Sequence, residues 1–494
     1  MFKAFSLRQK IGLFCGPALF LTVLFVVPLP ENMSTGALKV AAVALLMASF
    51  WIAETVPIPV TAMLPIFMFP LLGVMPTSQV TESYGNQILF LFMGGFLIAV
   101  AMQKWHLHRR IALNVIAKVG SSPDRLVLGF MIATAGLSMW ISNTATAMMM
   151  MPVAMAVIEQ TRKDIPVAGA SEQVQPAEQG SYKFGVALML AIAYSASIGG
   201  VATLVGTPPN AIFIGIIDTL YGYEISFFDW MKLGVPISLS MLIVCWFVLT
   251  RVAFKMERAG TESDNARALI KQELARLGPI SVEEARVAWV FFVVAAAWIL
   301  RGLFNPEVLS MVSDPAIAMA GAFVLFTIPA SKQQGGFILD WHTAATIPWD
   351  IIILMGGGFA LASGFSETGL TEWLAGQLKI LKGVHFFIIV LAVVLFVTFL
   401  TEVTSNAATA TLFIPVMGAL AISMDLHPFA LMVPAALAAS MAFMLPVATP
   451  PNAIVFASRQ VTIGQMAMTG LMLNIAGAIV VSALSYWLLR FIQI

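Results

Sequence analysis

Long apolar runs joined by short polar segments fill this chain from Ile11 to its C-terminus. Runs at 11–28, 37–53, 57–74, 86–104, 184–217, 229–252, 287–303, 314–330, 349–366, 430–457 and 463–491 suit bilayer crossing as helices, which takes roughly 20 residues. Two more stretches, 126–158 and 384–423, are too long for one crossing, and polar residues interrupt each near its middle. They read as re-entrant hairpins, two half-length helices meeting at a polar tip. Non-helical backbone at membrane depth is tolerated only inside protein or along a water-filled cavity. The spans at 184–217 and 430–457 are also broken, each by two consecutive prolines, which remove backbone donors and crowd the preceding turn. Membrane barrel strands alternate polar and apolar residues over about 10 positions, and these runs do not. The pattern predicts an all-α integral membrane protein with eleven spans and two hairpins.

The interruptions come in pairs. Ser142-Asn143-Thr144-Ala145-Thr146-Ala147 returns as Ser405-Asn406-Ala407-Ala408-Thr409-Ala410, and Val205-Gly206-Thr207-Pro208-Pro209-Asn210 as Val447-Ala448-Thr449-Pro450-Pro451-Asn452. From Gly94 to Gly357, Ser142 to Ser405 and Pro152 to Pro415 the shift is 263 each time. It falls to 242 at Thr207 and Thr449, where the first half carries the polar insert Glu159–Lys183 and the second only the short Ser423–Pro428. A loop insertion explains the change of register. Paired helix-breaking segments in corresponding halves point to a transporter's binding site.

Charge orients the repeat. With the N-terminus inside and both hairpins returning to the side they left, 20 of the 26 Lys and Arg fall on the inner face, as the positive-inside rule expects. The halves then enter from opposite sides, an inverted repeat, and the C-terminus lies outside. Lys3, Arg8 and Lys10 precede the first run as in a signal peptide, but no A-x-A-like cleavage site follows, so it reads as a retained span.

Composition excludes other classes. The chain is 60% hydrophobic and 10% charged, against about 25% charged in soluble domains. A net charge of +1 offers no nucleic-acid surface. Cys15 and Cys245 lie far apart in apolar spans, as small apolar residues rather than a disulfide or metal pair.

The polar positions carry the chemistry. Ser, Asn and Thr offer neutral oxygens and N–H donors. Half-helix N-termini suit carboxylates, while unwound carbonyls suit Na⁺. A cluster of Ser142, Asn143, Thr144, Thr207, Ser405, Asn406 and Thr449 would hold an anion beside cations. Segments 138–158, 195–217, 403–422 and 440–457 contain no Lys, Arg or His, so a dianion there lacks a side-chain counter-charge. Bound cations would supply it, since unpaired charge at membrane depth costs several kcal/mol. Proton coupling would want a buried acid or His, and Glu402 stands outside the motif core; Arg459 follows the second broken helix. Plainer readings serve other features: Gly94-Gly95 and Gly356–Gly358 as close-packing positions, Met148–Met151 as core, and His106 and His108 as part of a solvated basic face.

At these motifs the chain resembles the divalent-anion:sodium symporter family, the dicarboxylate, citrate and sulfate carriers, over nearly its whole length. The resemblance implies a homodimer working by an elevator motion in lipid. It implies scaffold spans at 1–85 and 229–348, the latter with a charged segment at 255–286, and repeat cores at 86–228 and 349–494. It places substrate carboxylates at Ser142, Asn143, Thr144, Thr207, Ser405, Asn406, Thr449 and Pro450. One sodium site would use Ser138, Ser142, Asn143 and Gly206, and its mate Thr401, Ser405, Asn406 and Ala448. Ala407 departs from the family pattern, which has a Thr there, so substrate choice stays open. The reading is a sodium-coupled carrier of C4-dicarboxylates such as succinate, malate or fumarate in a bacterial inner membrane, with no cofactor beyond the coupling ion. The rivals are a sodium-independent dicarboxylate or citrate exchanger, a sulfate symporter, a channel, and an intramembrane enzyme, for which the motif segments lack a base beside their serines.

Overall fold

The structure, a computed structural model, describes residues 6–163, 182–256, 264–304, 312–381 and 383–491. Most of the polar insert 159–183 lies outside them. Every regular element among the described residues is helical, and nine helices are long and apolar enough to cross a membrane. Helix Val282–Phe304 shows how such a helix divides its faces. It buries Val287, Val290, Val294 and Trp298 and leaves Trp289, Phe292, Leu300 and Leu303 exposed, an apolar outer surface that lipid would cover.

The register of 263 recurs in the helix boundaries. Helix Leu107–Val119 answers to Leu370–Leu378, Pro123–Ser138 to Phe386–Thr401, and the start of Asn143–Lys163 to that of Asn406–Ser423. Each expected hairpin appears as two helices joined by a tight turn, but the second arms, of 21 and 18 residues, are longer than the half-length helices expected. Both broken spans form as well: Lys183–Gly200 with Pro208–Tyr221, and Phe429–Ala438 with Pro450–Ala457. The residues of Lys183–Gly200 from Phe184 onward are all buried, which puts this half-helix at the centre of the molecule. Tyr194 on it meets Phe443 edge to face, with ring centroids 5.2 Å apart, and so joins the two broken spans.

One expected span differs. Residues 57–74 form two short helices, Ile58–Thr61 and Leu64–Leu71, instead of one. Pro65 lacks the N–H that would bond the Thr61 carbonyl in a continuous helix and crowds that turn, so the chain breaks before it. The short helix Leu107–Val119 and its mate were not expected, because they mix polar and apolar positions. The glycine runs are packing positions: a Cβ on Gly94 would come 2.6 Å from the Ala318 Cβ, and one on Gly358 would come 2.8 Å from Thr411 Cγ2.

Candidate functional site

Each hairpin turns in four residues, 139–142 and 402–405. The last hydroxyl of the first arm meets the first amide of the second. Ser138 Oγ lies 2.6 Å from Asn143 Oδ1, and Thr401 Oγ1 lies 2.8 Å from Asn406 Oδ1. The same hydroxyls reach a carbonyl of the neighbouring broken span, Ala196 O at 2.7 Å and Ala439 O at 3.1 Å. A hydroxyl has one proton and cannot donate to both oxygens. At Asn143 the excess of acceptors is plainer still. Its inward amide atom is 2.6 Å from Ser138 Oγ, 3.0 Å from Ala196 O and 3.3 Å from Gly206 O. With nitrogen turned inward, the amide closes this nest by donating. Turned the other way, the amide oxygen would join three further oxygens, the kind of donor set that a sodium ion takes.

The broken spans are built to hold that nest open. Thr207 and Thr449 cap the second half-helices, and the two prolines after each sit in the first turn, where a missing N–H costs nothing. The prolines thus start a helix rather than merely ending one. The asparagine that follows staples the unwound loop. Asn210 Nδ2 donates to Gly200, Val201 and Thr203 carbonyls at 3.1, 3.2 and 2.7 Å. Asn452 Nδ2 donates to Ala442 and Leu445 carbonyls at 3.2 and 3.0 Å. Gly200 is required by close approach, since a Cβ there would lie 2.6 Å from Asn143 Oδ1 and 3.0 Å from Gly206 O.

These parts surround one cavity of about 640 Å³, within the usual range for small-molecule sites. Ser142, Asn143, Thr144, Thr207, Ser405, Asn406, Thr449 and Pro450 all line it, with Gly206 and Ala448. Ser138 and Thr401 lie beneath it, fully buried. Four half-helix N-termini converge there, at Asn143, Asn406, Pro208 and Pro450. Each contributes a positive dipole end worth about 0.3–1 kcal/mol to an anion, more when partly buried. No Lys, Arg or His is among the described lining residues, and Arg459 is not one of them.

The mouth brings in residues that sequence reasoning missed: Glu54, Gln103, Thr346 and Asp350. They lie where helices Thr35–Ala53 and Gln87–Lys104 end and Trp349–Thr368 begins, helix ends that no local pattern connects. Asn210 and Asn452 were also missed as staples, although their duplication beside the prolines was a usable signal. Met148, expected in the core, is 52% exposed and lines the cavity. His106 and His108 stand apart from the cavity. His108 Nδ1 bonds Met102 O at 2.9 Å, and no cluster suited to a metal ion of the His, Cys and carboxylate type occurs among the described residues.

Comparison with known proteins agrees with this geometry. Residues 9–492 match the profile described as the sodium:sulfate symporter transmembrane region. The sodium-dependent dicarboxylate transporter SdcS of Staphylococcus saprophyticus is 42% identical over 489 residues, covering 98% of this chain and 92% of that protein. Its namesake in Staphylococcus aureus is 43% identical over 491 residues, covering 99% and 92%. Among solved structures, the Alcanivorax borkumensis YdaH transporter aligns with a TM-score of 0.58 at 13% identity, covering 92% of this chain and 99% of its own. MtrF of Neisseria gonorrhoeae aligns with a TM-score of 0.59 at 11% identity, covering 98% and 95%. Both share the all-helical transporter fold.

Proposed function

The chain belongs to the sodium:sulfate symporter family, and from that premise we propose that it carries a C4-dicarboxylate such as succinate, malate or fumarate together with sodium. It is an integral membrane transporter rather than an enzyme. The observation that carries the reading is the cavity itself: both duplicated motifs line it, four helix N-termini face it, and no basic side chain does. The substrate carboxylates are assigned to Ser142, Asn143, Thr144, Thr207, Ser405, Asn406, Thr449 and Pro450. One sodium is assigned to Ser138, Ser142, Asn143 and the Gly206 backbone, the other to Thr401, Ser405, Asn406 and the Ala448 backbone. The two assigned sodium ions neutralise the dianion, and a third ion would make each inward trip electrically positive, so that the membrane potential also drives uptake.

The setting follows from the same reading. The chain sits in a bacterial inner membrane as a homodimer, N-terminus inside and C-terminus outside, and its repeat is inverted. The residues 86–228 and 349–494 move against scaffold spans 1–85 and 229–348. The cavity mouth at Glu54, Gln103 and Asp350 then opens inward. Arg8 supports this arrangement. It donates to Val403 O at 2.8 Å and so ties the inner end of the first span to the tip of the second hairpin.

Purified protein in liposomes tests the assignment through uptake of labelled succinate. An inward sodium gradient is expected to drive accumulation, and collapsing that gradient is expected to abolish it. Uptake that ignores the gradient would sink the coupling.

A further inference from the structure

The tip of the first hairpin carries a ring that points away from the cavity's chemistry. Trp140 lies in the turn 139–142 and is not among the residues lining the cavity. Its indole packs among three other rings. Phe227 stacks on it with centroids 5.8 Å apart and Trp298 at 6.4 Å, while Phe291 meets it edge to face at 5.0 Å. Phe227 and Trp298 stack on each other at 4.3 Å. Stacked and edge-to-face pairs are the favoured ones, because ring faces are negative and ring edges positive. The void left beside Trp140, Phe291 and Trp298 measures about 10 Å³, room for one water at most.

This cage crosses a boundary. Trp140 and Phe227 belong to the segment 86–228, whereas Phe291 and Trp298 lie on helix Val282–Phe304, in the scaffold spans 229–348. A buried carboxylate sets the scaffold rings in place. Asp314, 5% exposed, accepts Arg301 of the same helix at 2.8 Å, and its carbonyl takes the Trp298 indole N–H at 3.0 Å. Its second carboxylate oxygen accepts the Phe227 N–H at 2.7 Å, a polar bond across the same boundary. The second tip is held differently. The residue 263 positions after Trp140 is Val403, which is 52% exposed and whose carbonyl accepts Arg8 at 2.8 Å. One tip is packed into rings, and the other is tied by a polar contact.

Resting on the division into moving cores and scaffold in the previous section, we propose that Trp140 and its cage are the lock of the inward-open state. The rings that meet here belong to parts that slide past each other, so the cage must come apart before the cavity can face outside. Its packing weights the empty carrier toward the inward-open arrangement. Loosening the cage then moves population toward the outward-open one.

The test uses Met148→Cys, since Met148 lines the cavity, and a membrane-impermeant maleimide added to right-side-out membrane vesicles. The rate of labelling reads the outward-open fraction, which is the minor one on this proposal and so rises in proportion as the lock loosens. The chain without Met148→Cys corrects for Cys15, which is exposed. Phe291→Ala removes the edge-on ring from the scaffold and leaves the core unaltered. It is expected to speed outer-face labelling at least threefold. Phe292→Ala, the next residue on the same helix but 62% exposed on its outer surface, is expected to leave the rate within 1.5-fold. An unchanged rate in Phe291→Ala overturns the proposal, and so does an equal rise in both variants, the mark of a generally loosened helix. If Phe291→Ala does not fold, Phe291→Leu keeps the bulk without the ring and decides by the same reading. No sodium or dicarboxylate is added, so the labelling stands apart from the coupling. Succinate uptake that ignores sodium, measured in the same vesicles, would refute the proposed function and leave this result untouched.

Discussion

In the first half-site the buried hydroxyl beneath the asparagine belongs to Ser138, and in the second to Thr401. Both halves place that hydroxyl against an amide oxygen and a carbonyl of the adjacent broken span. They part company around this common core. Thr144 faces the cavity in the first motif, while the second has Ala407. Thr449 accepts the Asn452 N–H at 3.3 Å, while Thr207 makes no side-chain capping bond. The joint to the unwound segment is a Thr hydroxyl on one side and Glu402 on the other. Duplication has kept the backbone assigned above to a cation. Substitution has changed the side chain that lines the cavity and the contacts that hold each half together.

Six substitutions probe that comparison, from the largest effect down. Asn143→Ala and Asn406→Ala each remove a group at a helix N-terminus assigned to both ion and substrate. Hydrogen bonds to charged groups are worth about 1.5–3 kcal/mol, so succinate uptake should fall roughly ten- to a hundredfold in either variant. Wild-type uptake in one of them, measured in proteoliposomes, would show that its half contributes no ligand. Thr449→Val should lower stability by about 1 kcal/mol through the lost cap, while Thr207→Val should leave the melting temperature unchanged and weaken substrate binding. Melting curves showing the reverse order would mean that the caps are misassigned. Thr203→Val removes one neutral bond at the first joint and should cost about 1 kcal/mol of stability. Denaturant or thermal unfolding in detergent measures it. Ala407→Thr restores the missing hydroxyl. It should strengthen citrate as a competitor of succinate uptake by roughly two- to fivefold, under about 1 kcal/mol, with sodium dependence unaltered. An unchanged competition panel would show that this position does not meet substrate.

Much of the hairpin design was legible because hydropathy and repetition report the same facts. The runs at 126–158 and 384–423 were too long for one crossing, and the register of 263 matched the two turns to each other, which lie just before the duplicated asparagines. Ser138 and Thr401 could be paired by that register alone. The rest depends on contacts between distant parts of the chain. The helices Leu107–Val119 and Leu370–Leu378 carry too many polar positions to register as apolar runs. The break in 57–74 was written in its prolines, but hydropathy outweighed them. Glu402 looked peripheral because its partners at 443–445 are backbone N–H groups, which every residue but proline possesses and no sequence pattern marks. Glu54 and Asp350 reach the mouth only because three helices end on the same face.

A cavity whose motif walls are helix ends and neutral side chains, with carboxylates only at Glu54 and Asp350 and no lysine or arginine among its described lining residues, has a thermodynamic consequence of its own. A resident cation would stabilise the dianion on every trip, whatever the sodium concentration. On the proposed function the stabilising charge arrives as cargo, so the two affinities are bound by linkage. Whatever factor by which bound sodium tightens the dicarboxylate, the dicarboxylate must tighten sodium by the same factor. The larger that factor, the rarer the half-loaded carrier becomes beside the empty and fully loaded ones.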